Sequence, residues 1–309
     1  MDTLTSYLQH LCGTDNVKCN EPLAQWTTFR VGGPARYFVL VEQKETLVRL
    51  LNALDYLNYP YFILGLGANV LASDQGYDGV VIKLNFHKIE HNDVFLYADA
   101  GAKLGAVVNY AREHGLTGLE WATGIPATVG GGIYLNSGAF DHSISEITVM
   151  VDVLEHGKIK TLTQNQLKFS YRHSVFMEQP AVIIGAYFRL IPGDKTQIAD
   201  EMQIILQKRQ RHPHEPSAGS VFKRPKDGFY VGKVVEELGL SGYTIGGAQI
   251  STKHCNFIIN TGNATCDDIL KLIYHIQDTV EKATGVLLET EIIFLGNVEN
   301  YQPKPNLTL

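Results

Sequence analysis

The sequence predicts an α+β fold, and two observations support this prediction. Short apolar patterns typical of strands are mixed with amphipathic patterns typical of helices throughout the chain, without a regular β-α-β alternation. The 309 residues contain no internal repeat and no low-complexity segment, and their number allows for two or three domains. We therefore expect an α+β protein of more than one domain.

Periodicity identifies the elements of the first 195 residues. Leu4, Leu8 and Leu11 lie on one helical face within residues 1–20, and Gly115 follows a helical pattern at a position that favours a left-handed cap. Further strands are predicted over residues 37–41, 61–64, 80–84, 94–100, 148–154 and 181–190, and further helices over residues 42–58 and 103–115. The Pro-Gly pair in residues 191–194 indicates a boundary.

The C-terminal part alternates helices with short strands. Helices are predicted over residues 196–211, 231–238 and 265–283, and strands over residues 257–260 and 286–296. Thr265, followed by two aspartates, is a typical start for the third helix. The charges in KRQRHPHEP predict a solvated end for the first. Glu289 and Glu291 lie two residues apart and would share a face of the last strand.

Composition and charge limit the classes of protein. The formal net charge of −6 and the lack of a Lys/Arg tract argue against nucleic-acid binding. The four cysteines form no C-x-x-C pair, so we expect neither a metal site nor disulfides, as in a reducing cytosol. The N-terminus lacks a signal-peptide pattern, and no apolar run approaches the roughly 20 residues of a membrane span. We therefore expect a cytoplasmic protein without a nucleic-acid or membrane partner. We also expect a monomer, although none of these observations bears on the oligomeric state.

Two glycine-rich turns are the candidate ligand-binding segments. Residues 124–139, GIPATVGGGIYLNSGA, contain five glycines and no charged residue, so backbone N–H groups could approach a flat or anionic ligand closely. The turn GLGAN at residues 65–69 follows a buried strand and could present N–H groups to a pyrophosphate. Either segment could instead be a turn without a ligand. Neither matches the G-x-G-x-x-G of a dinucleotide-binding βαβ unit.

Three further segments carry candidate chemistry, and each also has a plainer interpretation. Arg172 in FSYRHSVF could form a surface cation–π pair with its aromatic neighbours. Ser220 in PSAGSVFKRP lacks a G-x-S-x-G elbow, so a hydrolase nucleophile is disfavoured. The two glutamates of LETE could simply be solvated.

The order of these segments resembles the UDP-N-acetylenolpyruvoylglucosamine reductase family, in its shorter subclass. The resemblance covers residues 20–296 and is carried by seven segments in matching order: FRVGGPA, LGLGANVL, GLEWATGIPATVGGGIYLNSGA, FSYRHSVF, PSAGSVFKRP, IGGAQISTKHCNFIIN and GVLLETEIIFLG. It implies an FAD-binding module of the vanillyl-alcohol oxidase and p-cresol methylhydroxylase type in two subdomains, followed by an α+β substrate domain. The implied bounds are 1–84 and 85–195 for the subdomains and 196–285 for the substrate domain, with the strand in 286–309 returning to the first subdomain.

The resemblance also implies roles for individual residues. Non-covalent FAD would be held by Gly65, Gly67, Ala68, Asn69, Val70, Gly124, Ile125, Pro126, Thr128, Val129, Gly130, Gly131, Asn136, Ser137 and Gly138. Arg172, Ser220 and Glu291 would be catalytic, with Glu289 as the alternative to Glu291. Weaker candidates for substrate contacts are Tyr171, Lys223, Gln249, His254 and Asn256. Ala68, Arg224 and Cys255 depart from the residues that are common in the family.

The implied reaction is the NADPH-dependent reduction of UDP-N-acetylglucosamine enolpyruvate in peptidoglycan precursor synthesis. NADPH would reduce FAD, and flavin N5 would then give hydride to carbon 3 of the enolpyruvyl group. Arg172 and Glu291, the latter as a protonated donor, would stabilise the resulting negative charge, and Ser220 would protonate carbon 2.

Two alternative functions stay open. A flavin oxidase on the same scaffold would often tether FAD through a histidine near the first glycine turn, and no histidine occurs between Tyr61 and Val81. A non-enzymatic nucleotide-binding regulator would not need the Arg, Ser and Glu that the resemblance identifies.

Overall fold

The computed structural model describes residues 3–298, which form two compact units. The first unit comprises residues 3–19, 37–66 and 79–210, and the second comprises residues 20–36, 67–78 and 211–298. The helix after residue 195 belongs to the first unit, so these units are bounded differently from the division expected at residues 84 and 195. Compact units do not show where functional domains end, and the three-domain division stays a prediction.

The described residues contain seven α-helices and nineteen strands. The helices are α1 (Thr3–Cys12), α2 (Lys44–Tyr56), α3 (Leu104–Glu113), α4 (Val129–Tyr134), α5 (Lys195–Arg209), α6 (Val231–Glu237) and α7 (Cys266–Thr284). The strands are β1 (Val17–Pro22), β2 (Pro34–Val41), β3 (Tyr61–Ile63), β4 (Val70–Ala72), β5 (Tyr77–Leu84), β6 (Ile89–Asn92), β7 (Phe95–Asp99), β8 (Leu116–Thr117), β9 (Gly138–Ala139), β10 (His142–Ser143), β11 (Thr148–Glu155), β12 (Lys158–Thr163), β13 (Val182–Arg189), β14 (Ile191–Pro192), β15 (Ser217–Ser220), β16 (Thr244–Ile245), β17 (Ala248–Ile250), β18 (Phe257–Asn260) and β19 (Ile293–Leu295). No helix within residues 3–298 combines the length and the apolar character needed to cross a membrane.

The strongly periodic helices lie where the sequence predicts them. α2, α3, α5, α6 and α7 match the predicted ranges within a few residues. Thr265 caps α7, because its hydroxyl accepts the Asp268 N–H at 3.0 Å. Gly115 follows α3 with φ +66°, as expected for a residue that ends a helix in the left-handed region.

Three local predictions are wrong. Helix α1 ends at Cys12 rather than near residue 20, because Gly13 takes φ +92° and the chain then enters β1. The glycine run that was expected to be a turn forms α4. The last strand is confined to Ile293–Leu295, because residues 286–292 make irregular contacts, such as the Leu288 carbonyl that accepts from Gln277 Nε2 at 2.9 Å. The sequence also predicts a polar tail after Gly296, and residues 299–309 of it lie outside the described residues.

A five-stranded antiparallel sheet forms the centre of the first unit. Its strand order is β12-β11-β13-β7-β6, and its buried face contributes Phe188 and Leu96 to an apolar core. The four buried leucines of α2 and the buried face of α3 join this core. A second sheet has the order β1-β2-β5-β3, in which β3 and β5 are parallel.

A buried ion pair lies at the end of β7. Lys44 Nζ is 2.7 Å from Asp99 Oδ1, and Tyr97 donates to the same carboxylate at 3.0 Å. Burial and the Asp99 carboxylate raise the pKa of Tyr97. The Lys88 N–H donates to the other oxygen of Asp99 at 2.7 Å, so this carboxylate is held from several sides.

The second unit is built on a four-stranded antiparallel sheet. The strand order is β15-β18-β17-β16, and α7 packs against β16 and β17. Phe29, Phe222 and Ile273 are members of its apolar core. β19 pairs in parallel with β4, which lies within the segment 1–84. Asp74 Oδ1 accepts the Cys266 N–H at 2.9 Å and so stabilises the first turn of α7.

A glycine in the central sheet provides a test of packing in the first unit. A Cβ at Gly185 would lie 2.1 Å from Tyr97 Oη, so we expect Gly185→Ala to lower the free energy of unfolding by about 1–3 kcal/mol. The control is Gly105→Ala in α3, where a Cβ meets nothing within 4 Å and a gain of roughly 0.5–1 kcal/mol is expected. Urea unfolding measures both variants, and equal midpoints would contradict this packing.

Candidate active site

The glycine run 130–132 lies in the short helix α4. Val129 N–H donates to Ala102 O at 2.8 Å, and Gly130 N–H donates to Ala100 O at 2.9 Å. Thr128 caps the helix, because its hydroxyl accepts the Gly131 N–H at 3.2 Å. The expectation that this run offers free N–H groups is therefore wrong for residues 129–131, since protein acceptors already occupy them.

The glycines of α4 instead allow close approach. A Cβ at Gly130 would lie 3.1 Å from the Ala100 Cβ, closer than side chains ordinarily pack. Gly131 is exposed, and a Cβ there would meet only Thr128 Oγ1, at 3.4 Å. Helix α4 therefore presents at Gly131 a surface without a side chain, which suits a flat ligand.

The turn at residues 65–69 does offer free backbone donors. Among the described residues, none of its five N–H groups donates a hydrogen bond to the protein. Gly67 is required here, because it has φ +66° and a Cβ would lie 2.2 Å from the Trp26 carbonyl oxygen. Consecutive unpaired N–H groups of this kind bind anions such as phosphates.

A lysine supports the first residue of this turn. Lys83 Nζ donates to the Gly65 carbonyl at 2.6 Å, and burial lowers the pKa of Lys83, with a smaller effect of the Lys103 charge. A Cβ at Gly65 would lie 2.8 Å from Thr128 Oγ1, so the first glycine turn directly contacts the residue that caps α4. Gly65 is thereby brought next to the second glycine-rich segment within the first unit.

Two buried polar atoms precede the second glycine segment without a partner. Within residues 3–298, neither Thr123 Oγ1 nor Glu120 Oε1 has a hydrogen bond, although Thr123 is only 7% exposed. Leaving a buried polar group unpaired costs about 1–3 kcal/mol. A ligand atom that pairs with Thr123 would remove this cost.

Arg209 contacts the same segment, which the sequence did not indicate. Its Nε donates to the Thr123 carbonyl at 2.7 Å, and its guanidinium lies 5.1 Å from the Phe140 ring centre. Burial lowers the pKa of Arg209. The solvated helix end that the charges of KRQR predicted is therefore wrong for this residue.

The segment that contains Arg172 is fastened to the end of α4. Asn136 Nδ2 donates to Ser170 O at 2.8 Å, and Ser174 Oγ donates to Tyr134 O at 2.6 Å. Both side chains are buried. The local structure around residue 172 therefore depends on the glycine-rich segment.

Arg172 itself adopts a conformation that is uncommon for its residue type. Its φ is +52°, and its Nη2 donates to the Gly138 carbonyl at 3.0 Å. The guanidinium also lies 5.2 Å from the ring centre of the exposed Tyr171, so the simple cation–π interpretation is realised as well. Left-handed backbone at a non-glycine residue is often found at functional positions.

Ser220 and Glu291 are linked within the second unit. Ser220 ends β15 opposite Phe257. The carbonyl of the next residue, Val221, accepts the Glu291 N–H at 2.7 Å. The Ser220 hydroxyl has no hydrogen-bond partner in the part of the chain that the structure describes. The structure thus holds the backbones of these two predicted catalytic residues in adjacent segments.

Glu289 and Glu291 differ in their surroundings. The strand that was predicted to place them on one face begins only at Ile293, so neither glutamate lies in it. Glu289 is exposed and forms an ion pair with Lys223 Nζ, and its carbonyl accepts the Lys223 N–H at 2.9 Å. Glu291 is half-buried. Thr290, which lies between the two glutamates in the sequence, forms an isolated β-bridge with Phe222.

The weaker substrate candidates are mostly engaged with the protein. Lys223 is paired with Glu289, and Gln249 Nε2 donates to Gly242 O at 3.2 Å and Thr244 Oγ1 at 3.1 Å. His254 lies against the rings of His212 and Phe257, and burial lowers its pKa. Its Nδ1 accepts the Asn256 N–H at 3.3 Å, and a nitrogen that accepts a hydrogen bond carries no proton.

The Asn256 side chain is engaged with the protein. Its Oδ1 accepts the Phe222 N–H at 3.1 Å, and its Nδ2 donates to the Phe222 carbonyl at 3.0 Å. The side chain is 9% exposed. Both ends of this amide therefore bind one peptide unit of the protein, and its contact with the nucleotide stays a prediction.

Comparison with known proteins identifies both parts of the chain. Residues 35–163 match the family described as "FAD binding domain", and residues 210–295 match "UDP-N-acetylenolpyruvoylglucosamine reductase, C-terminal domain". The UDP-N-acetylenolpyruvoylglucosamine reductase of Caldanaerobacter subterraneus subsp. tengcongensis is 40% identical over 299 residues, which cover 96% of this chain and 99% of the relative. That of Pseudothermotoga lettingae is 42% identical over 278 residues, which cover 89% and 96%.

A solved structure agrees with these relatives. The crystal structure of the reductase from Thermus caldophilus has a TM-score of 0.78 and 33% identity, and the match covers 89% of this chain and 97% of that one. The fold and the matched domains define a flavin-dependent oxidoreductase with an FAD-binding module and a C-terminal substrate domain. The chain belongs to the UDP-N-acetylenolpyruvoylglucosamine reductase family. The predicted α+β architecture and family membership are confirmed.

The observed residues fit FAD, whose binding domain the chain contains. Within the first unit, the unused N–H groups of Gly65 and Leu66 suit the pyrophosphate, and the surface at Gly131 suits a planar ring system. The unpaired Thr123 hydroxyl offers a hydrogen bond to a polar ligand atom. Sequence reasoning missed Thr123 and Arg209, because only the folded chain shows which polar atoms are buried without partners.

The unpaired hydroxyl provides a test of this fit. We expect Thr123→Val to weaken FAD binding by about 2- to 10-fold, which corresponds to one hydrogen bond of roughly 0.5–1.5 kcal/mol. The same change should raise the stability of the flavin-free protein, since an unpaired buried hydroxyl disappears. Fluorescence titration with FAD and thermal unfolding of the flavin-free protein measure the two effects.

The control is Thr148→Val in the same unit. Thr148 is equally buried, but its hydroxyl donates to Ile144 O at 2.6 Å. This variant should lose stability and keep its FAD affinity. Unchanged FAD affinity in Thr123→Val would show that the hydroxyl does not contact the flavin.

Proposed function

We propose that this protein reduces UDP-N-acetylglucosamine enolpyruvate to UDP-N-acetylmuramate with NADPH, as a step of peptidoglycan precursor synthesis. The observation that carries the proposal is the match of both halves of the chain: an FAD-binding domain, and the C-terminal domain of this reductase. Relatives that bear this name are similar over nearly their full length. All four cysteines are free, which is in keeping with the cytoplasmic location that we propose for a monomeric enzyme.

FAD, when bound, would supply the chemistry of hydride transfer between NADPH and the enolpyruvyl carbon. The residues of the chain have three tasks: they bind the anionic substrate, stabilise the negative charge that develops beside its carboxylate, and deliver a proton.

Arg172 is proposed to stabilise the developing negative charge. Two contacts hold its guanidinium: Nη2 donates to Gly138 O, and the group lies 5.2 Å from the Tyr171 ring centre. A preorganised cation stabilises charge without reorganisation during the reaction. The planar fork of arginine also suits a carboxylate better than a lysine would.

Ser220 is proposed to donate the proton to carbon 2. Its hydroxyl is not used by another described residue, and its backbone is held in a sheet opposite Phe257. A general acid of this kind contributes about 10²–10⁴-fold to a rate.

Glu291, rather than Glu289, is proposed as the third catalytic residue. Its partial burial favours strong hydrogen bonding to substrate, and its backbone is bound next to Ser220. The exposed carboxylate of Glu289 is already paired with Lys223. Tyr171, Gln249 and His254 stay candidates for substrate contacts, and so does Lys223 if the substrate displaces Glu289.

The function is tested by the two half-reactions, followed separately by stopped-flow absorbance of the flavin. NADPH should bleach the flavin, and the enolpyruvyl nucleotide should restore its absorbance under anaerobic conditions. Reoxidation by oxygen but not by the nucleotide would contradict the proposal and favour an oxidase. A purified protein without flavin would favour a nucleotide-binding regulator.

The same experiment tests Ser220. We expect Ser220→Ala to leave FAD binding and flavin reduction by NADPH intact, and to slow reoxidation by the nucleotide by about 10²–10⁴-fold. Ser220→Cys should react faster than the alanine variant, because a thiol can still give a proton. If Ser220→Ala is reoxidised by the nucleotide at the wild-type rate, another group is the acid.

A pair of variants separates the two glutamates. Glu291→Ala should greatly slow nucleotide-dependent reoxidation, and Glu291→Gln should keep part of the rate, because the amide still donates a hydrogen bond. Glu289→Ala removes an exposed ion pair, which is worth about 0–1 kcal/mol, so its effect should be mild. The opposite ranking of the two alanine variants would assign the role to Glu289.

A further inference from the structure

The chain that follows Ser220 is held on one side by a single residue. β15 ends at Ser220, but the hydrogen bonding continues, because Val221 N–H donates to the Asn256 carbonyl at 2.8 Å. The Asn256 side chain then extends this pairing by one residue. Its Oδ1 accepts the Phe222 N–H at 3.1 Å, and its Nδ2 donates to the Phe222 carbonyl at 3.0 Å.

The opposite side of the same segment is bound to the residues around Glu291. Val221 O accepts the Glu291 N–H at 2.7 Å, and Thr290 forms an isolated bridge with Phe222. Residues 221–222 therefore lie between Asn256 on one side and residues 289–291 on the other. A shift of this segment would move both the Ser220 hydroxyl and the Glu291 carboxyl.

Asparagine is suited to this place because its amide has the donor and acceptor pattern of a peptide group. A side chain that accepts and donates at once can satisfy both polar groups of Phe222, as a neighbouring strand would. The site is buried, so water does not replace these bonds readily. A residue without an amide at position 256 would leave the Phe222 N–H and carbonyl unpaired.

We infer that Asn256 is a positioning residue, whose amide fixes the Ser220 hydroxyl relative to the Glu291 carboxyl. This inference rests on the proposed function, in which these two groups act on one substrate. Asn256 does not touch the substrate in this role, and it acts through the peptide groups of Val221 and Phe222. A misplacement of about 1 Å in such an arrangement can lower a rate by about 100-fold.

The test compares Asn256→Leu with Asn260→Leu. Asn260 is a matched control four residues away, at the other end of β18. Its amide is also buried and bound to backbone, with Nδ2 donating to Phe29 O at 2.9 Å and Oδ1 accepting the Gly262 N–H at 2.8 Å. Both variants lose a buried amide of the same kind, but only position 256 adjoins the segment after Ser220.

The first readout is structural. Hydrogen exchange of a peptide that contains Val221 and Phe222 should become at least about tenfold faster in Asn256→Leu and should change little in Asn260→Leu. The second readout is kinetic: nucleotide-dependent reoxidation of the flavin should slow by about 10- to 100-fold in Asn256→Leu, while flavin reduction by NADPH stays within about twofold. The solvent deuterium isotope effect on reoxidation should rise in Asn256→Leu alone, because proton delivery is the impaired step.

A conservative variant protects the test against a folding failure. Asn256→Asp keeps an acceptor for the Phe222 N–H but loses the donor to the Phe222 carbonyl, so its reoxidation rate should lie between those of wild type and Asn256→Leu. Wild-type reoxidation in both position-256 variants, or an equal loss in Asn260→Leu, would overturn the inference. A wild-type protein that the nucleotide does not reoxidise would overturn the proposed function, and the inference with it.

Discussion

The first unit depends on one close backbone approach. Gly130 donates to Ala100 O at 2.9 Å, and a Cβ at position 130 would lie 3.1 Å from the Ala100 Cβ. Since Ala100 directly follows β7, this contact ties α4 to the end of a central strand. The end of α4 in turn holds the segment of Arg172 through Asn136 and Gly138. One missing side chain therefore helps to determine where a predicted catalytic cation lies.

The second unit uses a side chain for a similar purpose. Asn256 pairs with Phe222 as a strand would, while the backbone near Glu291 binds the preceding peptide group. By contrast, the N–H groups of residues 65–69 are left unused by the described protein. Backbone groups that position the proposed catalytic residues are paired within the chain, whereas those proposed to bind FAD have no partner among the described residues.

Two of the wrong predictions share a cause. Three consecutive glycines have low intrinsic helix propensity, yet residues 129–134 are helical, because the Thr128 cap and the bonds to Ala100 and Ala102 outweigh propensity. Arg209 was expected in solvent, and it is instead bound to the Thr123 carbonyl. In both cases, partners that are distant in sequence decide the local structure.

The sequence by itself determined the long amphipathic helices, the α+β class, the order of the family segments and the candidate catalytic residues. The helices and the fold class follow from periodicity and capping, which act over a few neighbouring positions, whereas the candidate catalytic residues follow from the resemblance of these segments to the family. Only the tertiary structure decided that Glu289 is paired while Glu291 is half-buried, and that the Asn256 amide binds the Phe222 peptide group. It also decided which glycine turn keeps free N–H groups. The reason is physical: whether a polar group is buried or paired depends on atoms from remote parts of the chain, and local sequence carries no record of them.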